Sequence, residues 1–374
     1  MYNNVSFNKI MKFCIILGTR PEIIKMSPLI RECEKQGLDY FVIHTGQHYS
    51  YEMDKIFFEE LKLPQPKYYL DVGSGSHGHQ TGKMLAGIED VLVKEKPGIV
   101  YVQGDTNTVL AGALVASKLH IPIGHVEAGL RSFDRSMPEE INRVVADHVS
   151  DYLFAPTEAS KALLLKEGIP ESKIFVTGNT VVDAVYENSK IAVNSDVLSK
   201  LGLKPREYML STLHRQENVD DKARLSEIIQ GLGEVSRKYG MPIVLPIHPR
   251  TKKMMNEFSL QPPAGIMMIE PLGFMEFLKA ESNARLVLTD SGGVQEECCI
   301  LGVPCVTIRE NTERPETVDV GANVLAGYKC QNIVNCAGMM MNKNNGWVNP
   351  FGDGRTGKRI IQLSRGIGCC IISL

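Results

Sequence analysis

Residues Leu286–Ile308 read LVLTDSGGVQEECCILGVPCVTI. The apolar run Leu286–Leu288 stops at Asp290-Ser291-Gly292-Gly293, a helix-like segment follows, and a second apolar run begins after Gly302-Val303-Pro304. Strand, tight turn, helix and strand in that order make a βαβ unit of a parallel sheet. The paired glycines let the backbone approach a ligand closely. The free N–H groups and positive dipole end of the helix behind them favour a phosphate. Glu296 and Glu297 lie in that helix's first turns, within reach of the ribose of a nucleotide whose diphosphate rests on the turn. Without a ligand the same pattern is a tight connection between strand and helix, so the rest of the chain must decide.

The chain has 374 residues, too many for one ordinary core and suited to two domains of roughly 150 residues or more. A formal net charge of −2 argues against nucleic acid or an anionic membrane as the main partner. Nine cysteines (Cys14, Cys33, Cys298, Cys299, Cys305, Cys330, Cys336, Cys369 and Cys370) include no CxxC pair, and several fall in apolar runs. They read as reduced, mostly buried thiols of a cytoplasmic protein. The opening apolar run, Phe13–Gly18, is a strand by length rather than a signal peptide or membrane span. The ten residues before Met11 read as an unstructured lead-in, with Met11 as an alternative start.

Phe13–Leu17 ends in Gly18-Thr19-Arg20-Pro21-Glu22, a turn into a helix that carries Arg20 and Lys25 in its first turns. The carboxyl ends of strands are where open α/β sheets place ligands, so Arg20 and Lys25 form a candidate anion-facing pair. Tyr40–His44 is the next strand, ending in Thr45-Gly46-Gln47-His48-Tyr49, and helical patterns follow around 54–61 and 80–94. Gly73–Gly78 has the spacing of a dinucleotide fingerprint. It does not follow the first strand and is not embedded in a compact βαβ unit with an acidic partner about 20 residues on, so it reads as a polar loop. His77 and His79 in the same loop have no cysteine or carboxylate cluster to complete a metal site. No P-loop motif occurs.

Gly98–Gln103 is a buried strand that runs into Asp105, and Ile121–Val126 is another that stops at Glu127. Pro138-Glu139-Glu140-Ile141-Asn142-Arg143 opens a helix, and its acids are also what a helix start favours for capping reasons alone. Asp105 and Glu127 have no such reason. Asp105, Glu127 and Glu139 converging with Arg20 would form an acid/base set. Strands at Tyr152–Ala155 and Ile174–Thr177 complete the first domain, and hydrophobic density drops between about residues 178 and 205. The second domain restarts the alternation at Tyr208–Leu213, followed by His214, then Ile243–Ile247 with His248, Ile266–Ile269, the opening unit, and a charged loop holding Arg309 and Arg314. The expected organisation is α/β with two Rossmann-like domains, 1–178 and 179–353, whose parallel sheets face across a cleft, and a tail, 354–374, that as a helix would cross back to the first domain.

The motifs GTRPEIIKMSPL, QGDTNTVLAGALVA, HVEAGLRS, MPEEINR, LHRQEN, LTDSGGVQEE and NTERPE occur in order between Phe13 and Val324, with a shorter match at Asn349–Gly354. In these residues the chain resembles the non-hydrolysing UDP-N-acetylglucosamine 2-epimerases, which have the GT-B architecture of two Rossmann domains. The resemblance implies that Asp105, Glu127 and Glu139 are catalytic carboxylates, joined by His214. It implies that Arg20, Lys25 and Arg143 line the substrate site, that Ser291, Gly292, Gly293 and Arg314 hold the diphosphate, Glu297 the ribose and Phe277 the uracil region. Gln47, Gln80 and His248 match positions where relatives bind a second UDP-N-acetylglucosamine as activator. A homodimer is the family expectation. The Met- and Asn-rich stretch Tyr328–Trp347 and the tail ending SRGIGCCIISL depart from the family pattern.

A pyranose C2–H is barely acidic, and without an NAD fingerprint the chain must avoid oxidation. Departure of UDP from C1 makes the C2 proton removable, so elimination to 2-acetamidoglucal and re-addition inverts C2 with neither metal nor redox cofactor. The partners expected are UDP-GlcNAc and UDP-ManNAc. The alternatives are a hydrolysing variant that releases ManNAc and UDP, a GT-B glycosyltransferase, and a UDP-sugar sensor without catalysis.

Overall fold

The computed structural model describes residues 11–47, 51–343 and 346–371, without the side chains of residues 51–54 and 366–371. The lead-in before Met11, His48, Tyr49 and the side chains of Cys369 and Cys370 lie outside the described residues. The chain divides into two compact units, one running to Ala184 and resuming at Phe351, the other Val185–Pro350. The division thus falls inside the helix Thr180–Ala192, six residues beyond the boundary expected at residue 178.

The first unit is built on seven parallel strands: β1 (Phe13–Leu17), β2 (Tyr40–His44), β3 (Tyr68–Tyr69), β4 (Ile99–Gln103), β5 (Ile123–Val126), β6 (Tyr152–Ala155) and β7 (Ile174–Val176). Their order is β3-β2-β1-β4-β5-β6-β7. The second holds six parallel strands: β8 (Met209–Thr212), β9 (Ile243–Pro246), β10 (Ile266–Ile269), β11 (Val287–Thr289), β12 (Cys305–Thr307) and β13 (Asn323–Leu325). Their order, β10-β9-β8-β11-β12-β13, repeats the same pattern. In each sheet the chain direction across the sheet reverses once, between β1 and β4 and between β8 and β11. Such switch points part the loops at the strand ends and open a crevice for ligands.

The central strands are legible as apolar runs because helices cover both sheet faces, so β1 and β4 are buried along their whole length. The edge strands β3 and β13 escaped the sequence reading; they are two and three residues long and only partly buried. The stretch read as a polar loop through Gly78 is in part helical. The helix His77–Glu95 starts there because Ser76 takes the extended N-cap conformation, which puts His77 and His79 in its first turn. The spacer between 188 and 205 contains the short helix Val197–Lys200, whose Val197 and Leu198 are buried.

The Met-rich stretch forms the helix Cys330–Met341, and its Ile333, Cys336, Ala337, Met340 and Met341 join the core beneath Lys222–Tyr239. Unbranched Met fills irregular gaps, which explains how a sequence of that composition packs. The last helix, Thr356–Ile371, belongs to the first unit. Its start is pinned by the Gly357 N–H donating to Asp183 Oδ1 at 2.9 Å, and Asn179 N–H donates to Phe351 O at 2.8 Å. Gly357 then crosses Pro28 of the helix Arg20–Gln36 so closely that an added Cβ would stand 3.0 Å from Pro28 backbone atoms. Among the described residues no helix is long and apolar enough to cross a membrane.

Replacing Gly357 by Val forces the crossing helices apart. The expected outcome is destabilisation by about 1–3 kcal/mol, read as a lower melting temperature, whereas Gly73→Ala, where nothing lies within 4 Å of the new Cβ, is a poor control because of its positive φ; Gly293→Ala, with open space and ordinary φ, is the right one for melting.

Candidate active site

At the switch point of the first unit, the loops after β1, β4 and β5 bring their polar residues together. Arg20 and Pro21 open the helix Arg20–Gln36, with Pro at a position where its missing N–H costs nothing. The Arg20 guanidinium lies 5.5 Å from the Phe57 ring centroid. One turn on, Lys25 Nζ donates to both oxygens of Glu127, at 2.8 and 2.6 Å. Gln103 Nε2, at the end of β4, donates to Glu127 Oε2 at 2.8 Å. Glu127 is only 8% exposed, and its backbone sits in the left-handed region with φ of 70°. A non-glycine residue held there marks local strain that the surrounding contacts must sustain.

Asp105 forms an ion pair with Arg143, while Asn142 Nδ2 donates to Asp105 O at 2.9 Å. Arg143 also donates to Glu140 Oε2 at 2.9 Å. Of the adjacent acids expected at this helix start, Glu139 is exposed and Glu140 is buried. Glu140 accepts from Ser132 N, Ser132 Oγ and Phe133 N at 2.9–3.0 Å. Its burial favours the protonated form, but those donors and Arg143 outweigh it and hold the carboxyl below the ordinary range. Glu140 therefore shapes the loop beneath Arg143, and Glu139 alone of the pair stays open to a ligand.

Glu22 was not singled out from the sequence. Its carboxylate accepts from Gly18 N and Thr19 Oγ1, both at 2.9 Å, and from Thr106 Oγ1 at 2.6 Å, tying the loop of Arg20 to that of Asp105. Burial pushes its pKa up from 4.5 to about 7, against the pull of those three donors. Gln47 and Gln80, the expected activator contacts, are both buried and committed inside the unit. Gln80 Nε2 donates to Gln47 O at 3.0 Å and Gly73 O at 2.9 Å, its Oε1 accepts from Asn107 at 2.9 Å, and Gln47 Oε1 accepts from Thr108 Oγ1 at 2.9 Å.

The second unit places His214 after β8 and the turn Asp290–Gly293 after β11, again at the switch point. Asp290 is fully buried. It accepts from His214 N at 3.0 Å and Arg215 N at 2.9 Å, and its Oδ1 lies 2.9 Å from His214 Nδ1. Burial favours the protonated acid, yet His214 and the two backbone N–H groups hold the carboxyl below its usual value. An ionised Asp290 holds a proton on His214 Nδ1 and fixes the orientation of the ring. His248 caps the helix Pro249–Glu257 by accepting from Arg250 N at 3.2 Å, with its ring 5.7 Å from that of His214. Burial and the His214 neighbour lower its pKa.

The helix Gly292–Leu301 begins with open space before it. A Cβ on Gly292 would find its nearest atom at 3.7 Å, and one on Gly293 would find nothing within 4 Å. Internal packing therefore does not require these glycines, whereas a phosphate resting on the helix start would. Ser291 takes the extended N-cap conformation without its side chain capping the helix. Arg314 reaches Glu296 Oε1 at 2.8 Å, so the buried Glu296 serves as the partner of that Arg, and Glu297 is the half-buried acid of the pair. Phe277 packs, partly buried, against the cluster that includes Val294. Among the described residues no three His, Cys, Asp or Glu side chains converge to hold a metal ion.

Two doubly wound parallel units, one with paired carboxylates at its switch point and the other with an open helix start, define the class of Rossmann-type enzymes that handle nucleotide-linked substrates. The family model described as UDP-N-acetylglucosamine 2-epimerase matches residues 31–365. The chain is similar to the UDP-N-acetylglucosamine 2-epimerase of Methanocaldococcus jannaschii, at 60% identity over 94% of this chain and 98% of the relative. The UDP-2,3-diacetamido-2,3-dideoxy-D-glucuronate 2-epimerase of Pseudomonas aeruginosa is 44% identical over 94% of this chain and 99% of its own length. The solved M. jannaschii UDP-GlcNAc 2-epimerase in complex with UDP-GlcNAc and UDP superposes with a TM-score of 0.85, at 60% identity and covering 95% of this chain and 99% of that one. The chain belongs to the UDP-N-acetylglucosamine 2-epimerase family.

The Glu22 carboxyl binds its proton more tightly in the folded than in the unfolded state, since about 7 exceeds 4.5. Its contribution to stability is therefore full below about pH 4.5 and lost as the pH rises through about 7. Glu22→Gln, permanently neutral, is expected to flatten the fall in melting temperature across that window by an amount equivalent to roughly 1–3 kcal/mol.

Proposed function

We propose that the chain interconverts UDP-N-acetylglucosamine and UDP-N-acetylmannosamine by eliminating UDP and adding it back. The C1–O bond to UDP breaks, a carboxylate takes the C2 proton, and the C2–H electron pair becomes the C1=C2 bond of 2-acetamidoglucal. Return of a proton to the opposite face of C2, with re-addition of the UDP oxygen to C1, gives the epimer. The observation that carries this reading is the pair of carboxylates at the first unit's switch point, each matched to a cation from another element: Glu127 with Lys25, and Asp105 with Arg143. Acid and base on two sides of one carbon are what inversion at C2 requires. Glu139, exposed on the next helix, is the third acid of the set.

In the second unit, Ser291, Gly292, Gly293 and Arg314 hold the leaving diphosphate in this reading, with His214 beside it, Glu297 at the ribose and Phe277 at the uracil. Stabilising that anion lowers the barrier to C–O cleavage, and excluding water protects the glucal from capture. Arg20 and Lys25 supply further positive charge to the sugar side. The 60% identity to a relative named for UDP-N-acetylglucosamine, against 44% to one named for a diacetamido-glucuronate, supports the simpler sugar. The reading extends to a homodimer, on the family resemblance, and to the cytoplasm, on the free thiols of the described cysteines.

Incubation with UDP-GlcNAc in D₂O tests the proposal. Deuterium is expected at C2 of both UDP-sugars; accumulation of UDP and free ManNAc supports a hydrolysing enzyme instead, and binding without C2 exchange supports a sensor. Asp105→Asn, Glu127→Gln and Glu139→Gln are each expected to slow exchange by at least about 10²-fold while UDP still binds.

A further inference from the structure

His125 lies on β5, two residues before Glu127, and its side chain is fully buried. Its Nδ1 is 2.6 Å from Asp147 Oδ1 and its Nε2 is 2.8 Å from Gly104 O. Asp147 carries an acceptor-only carboxylate when ionised, and a carbonyl oxygen has no proton to give. Both ring nitrogens must therefore donate, and an imidazole with two N–H groups is a cation. Asp147 is ionised for its own reasons: its Oδ2 takes Arg131 NH1 at 2.7 Å and the Gly129 N–H at 3.2 Å. Arg131 passes on to Glu167, so two positive and two negative groups close a neutral chain.

The ring's two partners and its own strand are the three segments on which the proposed chemistry depends. Gly104 immediately precedes Asp105, and its own N–H donates to Val126 O at 3.1 Å, so β5 grips that residue from both sides. Asp147 lies in the last turn of the helix Pro138–Val149, whose first turns carry Glu139 and Arg143. Glu127 follows on the ring's own strand. We propose that His125 is a positioning residue, a buried imidazolium that fixes Asp105, Glu127 and the helix of Glu139 relative to one another.

The charged groups acting on the ring are Asp147 from that helix and Arg131 from the loop after β5. Burial opposes the charge and Arg131 repels it, but Asp147 and the Gly104 carbonyl prevail, and the pKa lies above the ordinary 6.5. Losing the proton would leave one acceptor unpaired and release one segment. The folded state holds this proton more tightly than the unfolded one, so the lock is complete below about pH 6.5 and fails as the pH rises through the elevated value.

The proposal rests on the acid/base reading of the three carboxylates, and its test separates the two. In the full-length protein labelled with ¹⁵N-histidine, both His125 ring nitrogens are expected to resonate as N–H donors at about pH 7.5, a full unit above the ordinary histidine value. An unprotonated nitrogen at that pH overturns the proposal. In H125N the amide stands near Nδ1 and keeps the Asp147 bond, and in H125Q it stands near Nε2 and keeps the Gly104 bond. H125N is expected to lower kcat for C2 exchange by about 10–100-fold with UDP affinity unchanged, because small misplacements of reacting groups cost that much, and H125Q is expected to recover part of the loss. With D105N and E127Q inactive, wild-type kcat in both H125N and H125Q overturns the positioning role. Should D105N and E127Q themselves remain active, the acid/base reading fails instead.

Discussion

A charge at the end of a buried strand is the constraint on which this structure turns. Helices cover both faces of a parallel sheet, so ionised groups find water only at the strand ends, and Glu127 has almost lost even that. A carboxylate so placed survives only with partners close by, here Lys25 from the first helix and Gln103 from the neighbouring strand. Those contacts also hold its backbone in the left-handed region, which a glutamate does not adopt without support. The helix Arg20–Gln36 and β4 are thus both tied to one carboxylate oxygen, Glu127 Oε2.

The second unit solves the same problem with different partners. Asp290 also ends a strand at the switch point, but backbone N–H groups and the His214 ring satisfy it. Its charge is consumed in orienting a histidine and a loop, and the glycines after it remain open. Carboxylates paired with flexible side-chain cations suit proton transfer, whereas a buried acid behind an uncovered helix start suits a rigid anion cradle. The two units share one topology and differ in how each meets the electrostatic cost of its switch point.

Most of the fold was legible because parallel strands are apolar runs bounded by turn residues, and eleven of the thirteen strands among the described residues announced themselves that way. β3 and β13 did not, because a strand of two or three half-buried residues carries no pattern of its own and exists only through its neighbour. Candidate site residues were legible where motif and strand end coincide, as at Asp105, Glu127, His214 and Gly292. Gln103, Glu22, Glu140 and Asp290 were passed over because their roles are visible only as contacts: Thr106 meets Glu22 across 84 residues, and Asp290 meets the His214 N–H across 76. Gln47 and Gln80 are also tied to one another and to Thr108 inside the unit, contacts that no local pattern announces.

By itself the sequence determined which segments become strands and helices and which loops carry polar groups, since periodicity, glycine turns and capping act over a few residues. The tertiary structure decided which of those loops meet. Lys25 and Glu127 are 102 residues apart, and Asp105 and Arg143 are 38 apart. Whether such residues touch depends on the order of strands in the sheet, set by packing and pairing across the whole unit. That Glu139 is exposed and Glu140 buried was decided in the same way, because two neighbours on a helix differ only in which side of it the rest of the protein covers.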